Sequence, residues 1–364
     1  MGKMVSLQAL RGLAFLGIFL IHARSPIQWA ALGVSVFFVM SGFLMMFLHS
    51  DADNNTTIQK AIRFSIIRIK KIYKLHIITM LFAIISSVAL MIPHGLSIRA
   101  TLGLFVKIIL NITLLQTWIP YVSINSSLNG VAWFLSVTMF LYFCFPYICG
   151  WIKKKSNLAT ICILIIILEI ISCRLWLQFV DSMNETYIWF MYYFPIFRIG
   201  DFFLGCCIGH FYKEHGFRKL SVIKGTILEL GALTLSVVIY VFPHDGNNLW
   251  LNAIYNWTTL YMILATIWVY LFVCNSGLFT RVMTNSLLIF IGNISAYTYL
   301  IHFVITKYTN ELLSYFRYEM SGLSMVLIIS GELILTITAA LVYLRLLKRS
   351  LIERNNNCEQ KSGI

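Results

Sequence analysis

Ten times along its 364 residues the chain produces an apolar run about long enough to cross the core of a bilayer. The runs fall at roughly 6–24, 31–48, 75–92, 131–150, 157–179, 188–211, 222–243, 251–274, 286–306 and 322–346. Hydrocarbon offers no water to satisfy backbone N–H and C=O groups, so runs of this kind must be helices that bond internally and pack on one another. The expected fold class is all-α: a polytopic transmembrane helix bundle of about ten spans. The expected location is an inner (cytoplasmic) or plasma membrane. Composition agrees, with 59% hydrophobic residues, 12% charged residues and a mean hydropathy of +0.81. Soluble domains stay near about 45–50% apolar and 25% charged.

The formal net charge is +14. In a soluble chain that would point to nucleic acid. Here the cations sit in short loops between apolar runs, the pattern of topology determinants, and nucleic acid is not an expected partner. The richest loops are Lys60 to Lys74, Lys153-Lys154-Lys155, Lys213 to Lys224, Arg281 and the tail from Arg345. All can be cytoplasmic together only if one apolar stretch between Lys74 and Lys153 fails to cross. Thr101 to Ile119, which contains Lys107 and Asn111 and runs out at Trp118 and Pro120, is assigned to the outer interface. Both termini then face the cytoplasm, and the loops of Asp181, Asp245 with Asn247, and Glu319 face outside. Residues 1–350 form one transmembrane domain. Residues 351–364 are a short cytoplasmic polar tail, expected to be disordered from about Asn355.

Seven of the eight cysteines lie in hydrophobic segments and Cys358 lies in the tail, so no disulfide framework is expected. Cys206-Cys207 reads as helix packing, and no metal is expected. No cleavable signal is expected either, because His22 and Arg24 occupy the place of a small-residue cleavage site.

The candidate chemistry begins in the first span. Arg11 and His22 are the only ionisable residues of LQALRGLAFLGIFLIH, and ionisable groups inside a span mark functional sites by default. Eleven residues carry the helix about 20° past three full turns, so both share one face, roughly 16 Å apart along the axis. The bland alternatives are a snorkelling anchor for Arg11 and a polar interface residue for His22. In RFSIIRIKKIYK, Arg68 and Lys71 are three apart on one helical face, either as inside-positive signals or as a clamp for phosphate. In FPIFRIGDFFLG, Arg198 and Asp201 are spaced to pair within the membrane, a structural role more than a catalytic one. Glu169 and Arg174 in the fifth span are read in a similar way.

Taken in order, these strings resemble the signatures of the acyltransferase-3 family of integral-membrane acyltransferases. So do GVSVFFVMSGFLM (Gly33 to Met45), WFLSVTMFLYFCFP (Trp133 to Pro146) and IGNISAYTYLIH (Ile291 to His302). The chain departs from the family pattern at four places. Ser35 and Thr138 stand where acidic residues are frequent, Lys71 replaces an arginine, and Lys74 replaces a proline. Lysine keeps the charge but loses the bidentate fork.

The resemblance implies transfer of an acyl group, usually acetyl from acetyl-CoA, to a hydroxyl of a cell-surface glycan or lipid-linked sugar. It implies His22 as general base, with Arg11 holding the donor or stabilising charge. A histidine close to its ordinary pKa suits the first role. Arg68 and Lys71 would clamp the phosphates of coenzyme A, and Trp133 would line the donor path. His302, Arg198, Asp201 and Tyr142 are substrate-binding or structural polar residues. Acetyl-CoA is then a co-substrate, and the partners are acyl-CoA, the sugar acceptor and the lipid bilayer, with a homo-oligomer left open. The competing expectations are a transporter or flippase of a small anion or lipid-linked sugar, and acylation of a small-molecule acceptor by the same fold. The lack of an internal repeat counts against a transporter built from inverted halves.

Overall fold

The computed structural model describes residues 4–362 apart from 27–28, 51–56, 95–96, 156, 181–183, 218–219 and 242–257, with side chains described to 350. No strand occurs among the described residues. The helices are α1 (Val5–His22), α2 (Ala30–His49), α3 (Ile58–Met91), α4 (Ile98–Thr113), α5 (Val122–Asn125), α6 (Trp133–Ile152) and α7 (Leu158–Trp176). After them come α8 (Glu185–Ile188), α9 (Ile199–His215), α10 (Val222–Val241), α11 (Thr259–Cys274), α12 (Leu278–Met283), α13 (Ser286–Tyr315) and α14 (Gly322–Ser362). Side chains start several of them. Thr57, Ser97, Asn157 and Asn285 accept the backbone N–H of Lys60, Ala100, Thr160 and Leu288, which satisfies donors that a helix start leaves open.

Among the described residues eight helices are long and apolar enough to cross a membrane, against about ten expected, and the all-α fold class is what forms. At its centre, α1 packs along α2 and α13, α2 crosses α9 and α11, and α13 also meets α3 and α14. The α2–α9 crossing depends on glycine. A Cβ on Gly42 would collide with the Phe202 carbonyl, and one on Gly205 would collide with the Val39 carbonyl. Small residues permit this close backbone approach. Phe15, Phe19, Phe38, Phe43, Phe145 and Phe202 fill the interior with no exposure. By contrast, α7 buries only Glu169 and Cys173, leaving Ile163, Leu164 and Leu168 on its outside. An outer apolar face of this kind suits lipid.

The C-terminal ends of α2, α6 and α9 gather at one end of the bundle. There Lys153 Nζ donates to the Ser50 carbonyl and Lys213 Nζ donates to Ser50 Oγ at 2.7 Å. The cationic loops that follow α6 and α9 thus share an end. The described cysteines, Cys144 to Cys274, form no disulfide.

Four expectations are corrected or refined. The basic stretch Lys60 to Lys74 is no loop, because α3 runs unbroken for 34 residues, about 51 Å. The run 188–211 is not one helix. A π-helical turn at Trp189–Tyr193 is followed by an irregular stretch to Arg198, and α9 starts only at Ile199. Pro195 explains the break, since it lacks an N–H and disfavours helical φ/ψ at Phe194. The stretch 101–119 does not lie flat. After Ser97, α4 turns back along α3, with Leu104 and Ile108 packed on Met80, Ala83 and Leu128. It stops at Thr113, where the Tyr73 hydroxyl donates to the Ile112 carbonyl at 2.7 Å, and it is not among the helices suited to crossing. The tail, finally, is not irregular, for the backbone of α14 stays helical to Ser362. No glycine or proline falls between Gly331 and Ser362 to break it. Asp181, Asp245 and Asn247 lie outside the described residues.

Candidate active site

Five long helices converge on a cavity of about 320 Å³ in the middle of the bundle. α1 contributes Arg11, α2 contributes Phe37 and Ser41, α3 contributes Arg68 and Lys71, and α6 contributes Phe134, Thr138 and Tyr142. Tyr299 closes it from α13. The charged residues of the lining are three cations, and no carboxylate accompanies them. Arg11 Nε and Arg68 Nε are buried and have no hydrogen-bond partner among the described residues. The Arg68 guanidinium lies 5.1 Å from the centre of the Phe64 ring, a cation–π contact that fixes its direction. Ser41 Oγ and the Tyr142 hydroxyl are 3.0 Å apart and couple α2 to α6 across the wall. Cations without counter-charges in a low-dielectric enclosure are a site for an anion.

A second feature adjoins this cavity through Tyr299, whose ring lies 5.7 Å from that of His302. His302 in turn lies 5.3 Å from His22, ring centre to ring centre. α1 and α13 run side by side, so Arg11 and His22 meet Ser295 and His302 in the same order. His302 is fully buried among Phe15, Phe19 and Tyr299. Its Nδ1 is 3.2 Å from the Thr298 carbonyl, and a carbonyl only accepts. That contact therefore places the proton on Nδ1 in the neutral ring and leaves the lone pair on Nε2, which has no partner among the described residues. His22 is half-buried and meets the Phe303 ring edge-on at 5.2 Å.

The other expected residues lie elsewhere. Trp133 is not brought to the cavity. It is buried behind the wall against Tyr192 and Tyr193, with ring centres 4.9 and 5.0 Å away, and its neighbours Phe134 and Leu135 do the lining. The helix turns Trp133 away from the face that carries Thr138 and Tyr142. Arg198 and Asp201 form a buried ion pair at 3.4 Å, with Arg198 Nη2 donating to Ser35 Oγ at 3.2 Å. Arg198 also stacks on Phe38 at 4.9 Å, and the pair takes no part in the cavity lining. Thr138 Oγ1 donates to the Phe134 carbonyl at 2.7 Å, so this hydroxyl is engaged by the backbone of its own helix one turn back. The Glu169 carboxylate accepts from Thr259 Oγ1 at 3.3 Å.

Two groups escaped sequence reasoning. Tyr299 joins the two halves of the site, and nothing in its sequence context sets it apart from nearby tyrosines. Arg24, two residues past His22, pairs with Glu332 of α14 and bonds Asn310 of α13. A lone carboxylate inside the apolar run 322–346 was the readable signal for that clasp.

The family described as an acyltransferase domain matches residues 4–345. A protein of Streptomyces mycarofaciens named "Acyltransferase MdmB" is 24% identical over 266 residues, 65% of this chain and 65% of its own length. A protein of Staphylococcus aureus strain MSSA476 named "Putative O-acetyltransferase SAS0844" is 26% identical over 324 residues, 85% of this chain and 52% of its own length. The chain thus spans about two-thirds and about half of these relatives. No solved structure matches it.

Proposed function

The chain belongs to the acyltransferase-3 family, and from that membership we propose that it is a membrane-embedded O-acetyltransferase. It moves an acetyl group from cytoplasmic acetyl-CoA to a hydroxyl of a cell-surface glycan or lipid-linked sugar. The observation that carries this reading is the central cavity, whose charged lining is Arg11, Arg68 and Lys71 alone. Coenzyme A is a polyanion with a long thin arm. Its phosphates suit Arg68 and Lys71 on the basic N-terminal half of α3, and its arm suits the aromatic passage past Arg11 to Tyr299.

At the far end of that passage the acceptor hydroxyl attacks the thioester carbonyl while His22 takes its proton. The tetrahedral intermediate collapses with cleavage of the C–S bond. The thiolate leaves and receives the proton from His22, so the products are the sugar ester and free coenzyme A. Arg11 cannot act as a base; its charge holds the donor. His302 keeps the neighbouring imidazole in place.

Replacing Arg68 and Lys71 together with alanine tests the donor half. The apparent Michaelis constant for acetyl-CoA is expected to rise by one to two orders of magnitude, since each charge-assisted contact contributes about 1.5–3 kcal/mol. The constant for the acceptor should stay near its original value. An unchanged donor dependence would reduce both residues to topology signals. Proteoliposomes separate this reading from transport, because a transporter moves solute without cleaving a thioester.

Orientation has its own test. With the basic end cytoplasmic, a single cysteine at position 154 on a cysteine-free background should resist a membrane-impermeant thiol reagent in intact cells. Labelling there from outside would invert the bundle and remove the cavity from the donor's compartment.

A further inference from the structure

A larger cavity, about 620 Å³, opens at the opposite end of the bundle, between the last turns of α3 and the first turns of α4. Ser87, Ser97, Arg99, Lys107, Ser127 and Leu128 are among its lining residues. The volume is in the small-ligand range. Its charged lining is again cationic, Arg99 and Lys107, with no carboxylate among the lining residues. Lys307 of α13 reaches its rim and donates to Ser87 Oγ at 3.4 Å, while Glu311 is taken up by Ser86 one residue before.

A short chain of contacts links this cavity to the histidine pair. Ser127 and Leu128 lead into Asn129, whose Nδ2 donates to the Leu300 carbonyl at 3.0 Å and to Thr79 Oγ1 at 2.9 Å. The next residue, Gly130, lies against the Phe303 ring that packs on His22.

Behind the same wall lies a layer of buried amides. Asn111, Gln116, Asn125 and Asn129 direct their NH2 groups at the carbonyls of Lys107, Ala132, Gln116 and Leu300. Carbonyls cannot donate, so each amide is fixed in that sense, and its own side-chain oxygen has no donor among the described residues. Buried acceptors without donors are costly. None of the four lines the cavity, so the layer stiffens the wall behind it, and the polar groups that face a ligand are those of Ser87, Ser97, Arg99, Lys107 and Ser127.

We propose that this cavity is the acceptor subsite and that it takes a sugar bearing an anionic group, with Arg99 and Lys107 on the phosphate or carboxylate. The inference rests on the acyltransferase reading above and adds where the acceptor sits and what charge it carries. The test uses the full-length protein in nanodiscs of zwitterionic lipid, with N-acetylglucosamine 1-phosphate and N-acetylglucosamine as probes in saturation-transfer NMR. Coenzyme A binding is measured on the same samples.

The phosphosugar is expected to bind about tenfold more tightly than the neutral sugar, as a charge-assisted contact warrants. The double variant Arg99→Gln, Lys107→Gln should lose that advantage, and Arg99→Lys should keep most of it. Coenzyme A binding should not change in any of them. Equal binding of the two sugars, or no sugar binding while coenzyme A still binds, overturns the acceptor subsite and leaves the donor reading standing. Failure of the unaltered protein to bind coenzyme A strikes the donor reading instead. If the double variant changes only the response to added anionic lipid, the two cations read headgroups and the proposal fails.

Discussion

His22→Ala is expected to lower turnover by about 10²–10⁴-fold, the usual contribution of a positioned general base. The protein should remain folded and inserted, and should still bind coenzyme A, because His22 is half-buried at the end of α1 and lies outside the donor cavity lining. His22→Gln should be no better than alanine. An amide of similar size hydrogen-bonds but takes up no proton near neutral pH. His302→Ala should cost less in turnover, since that ring touches His22 and its aromatic surround rather than the reacting hydroxyl in the proposed geometry. Single-turnover kinetics with saturating acetyl-CoA separate the chemical step from binding. A His22→Gln enzyme at near-normal rate would leave His22 as a structural polar residue, and the base would have to be sought first at His302, whose Nε2 has no partner among the described residues.

Arg198→Leu is expected to destabilise the protein by about 3–5 kcal/mol, the cost of breaking a buried ion pair from one side. Arg198 and Asp201 are 0% and 1% exposed, so the substitution strands a carboxylate with no route to water. Ser35 loses its guanidinium donor and Phe38 loses its stacked cation in the same step. Removing Asp201 as well should recover much of the loss, since replacing both members of a buried pair with apolar residues is often close to neutral. Denaturant unfolding in detergent micelles reads both variants. A single variant within about 1 kcal/mol of the unaltered protein, or a double variant no more stable than the single one, would show that the pair does not hold α9 to α2. Loss of activity with stability intact would move the pair from scaffold to site.

The helical fold class, the Arg198–Asp201 pairing and the shared face of Arg11 and His22 could all be read from the chain. Each depends on short-range rules: apolar length, i,i+3 spacing, and the 3.6-residue repeat. Side chains on one helix cannot say which other helix they face. The meeting of Arg11 with Arg68, Lys71 and Tyr142 is set by how α1, α2, α3, α6 and α13 cross, and those crossings turn on contacts such as Gly12 of α1 against the Leu288 carbonyl of α13. The pairing of His22 with His302 needs α1 and α13 to run in the same direction 280 residues apart in sequence. Trp133 shows the converse. Its place in a motif suggested the donor path, yet the direction of one Cα–Cβ bond on α6 turns it toward Tyr192 and leaves the cavity to Phe134. The descent of α4 along α3 escaped the sequence for the same reason. Its many apolar residues and Asn111 are compatible with an interface helix, and only the packing of Leu104 and Ile108 on Met80 and Ala83 decides that it turns inward.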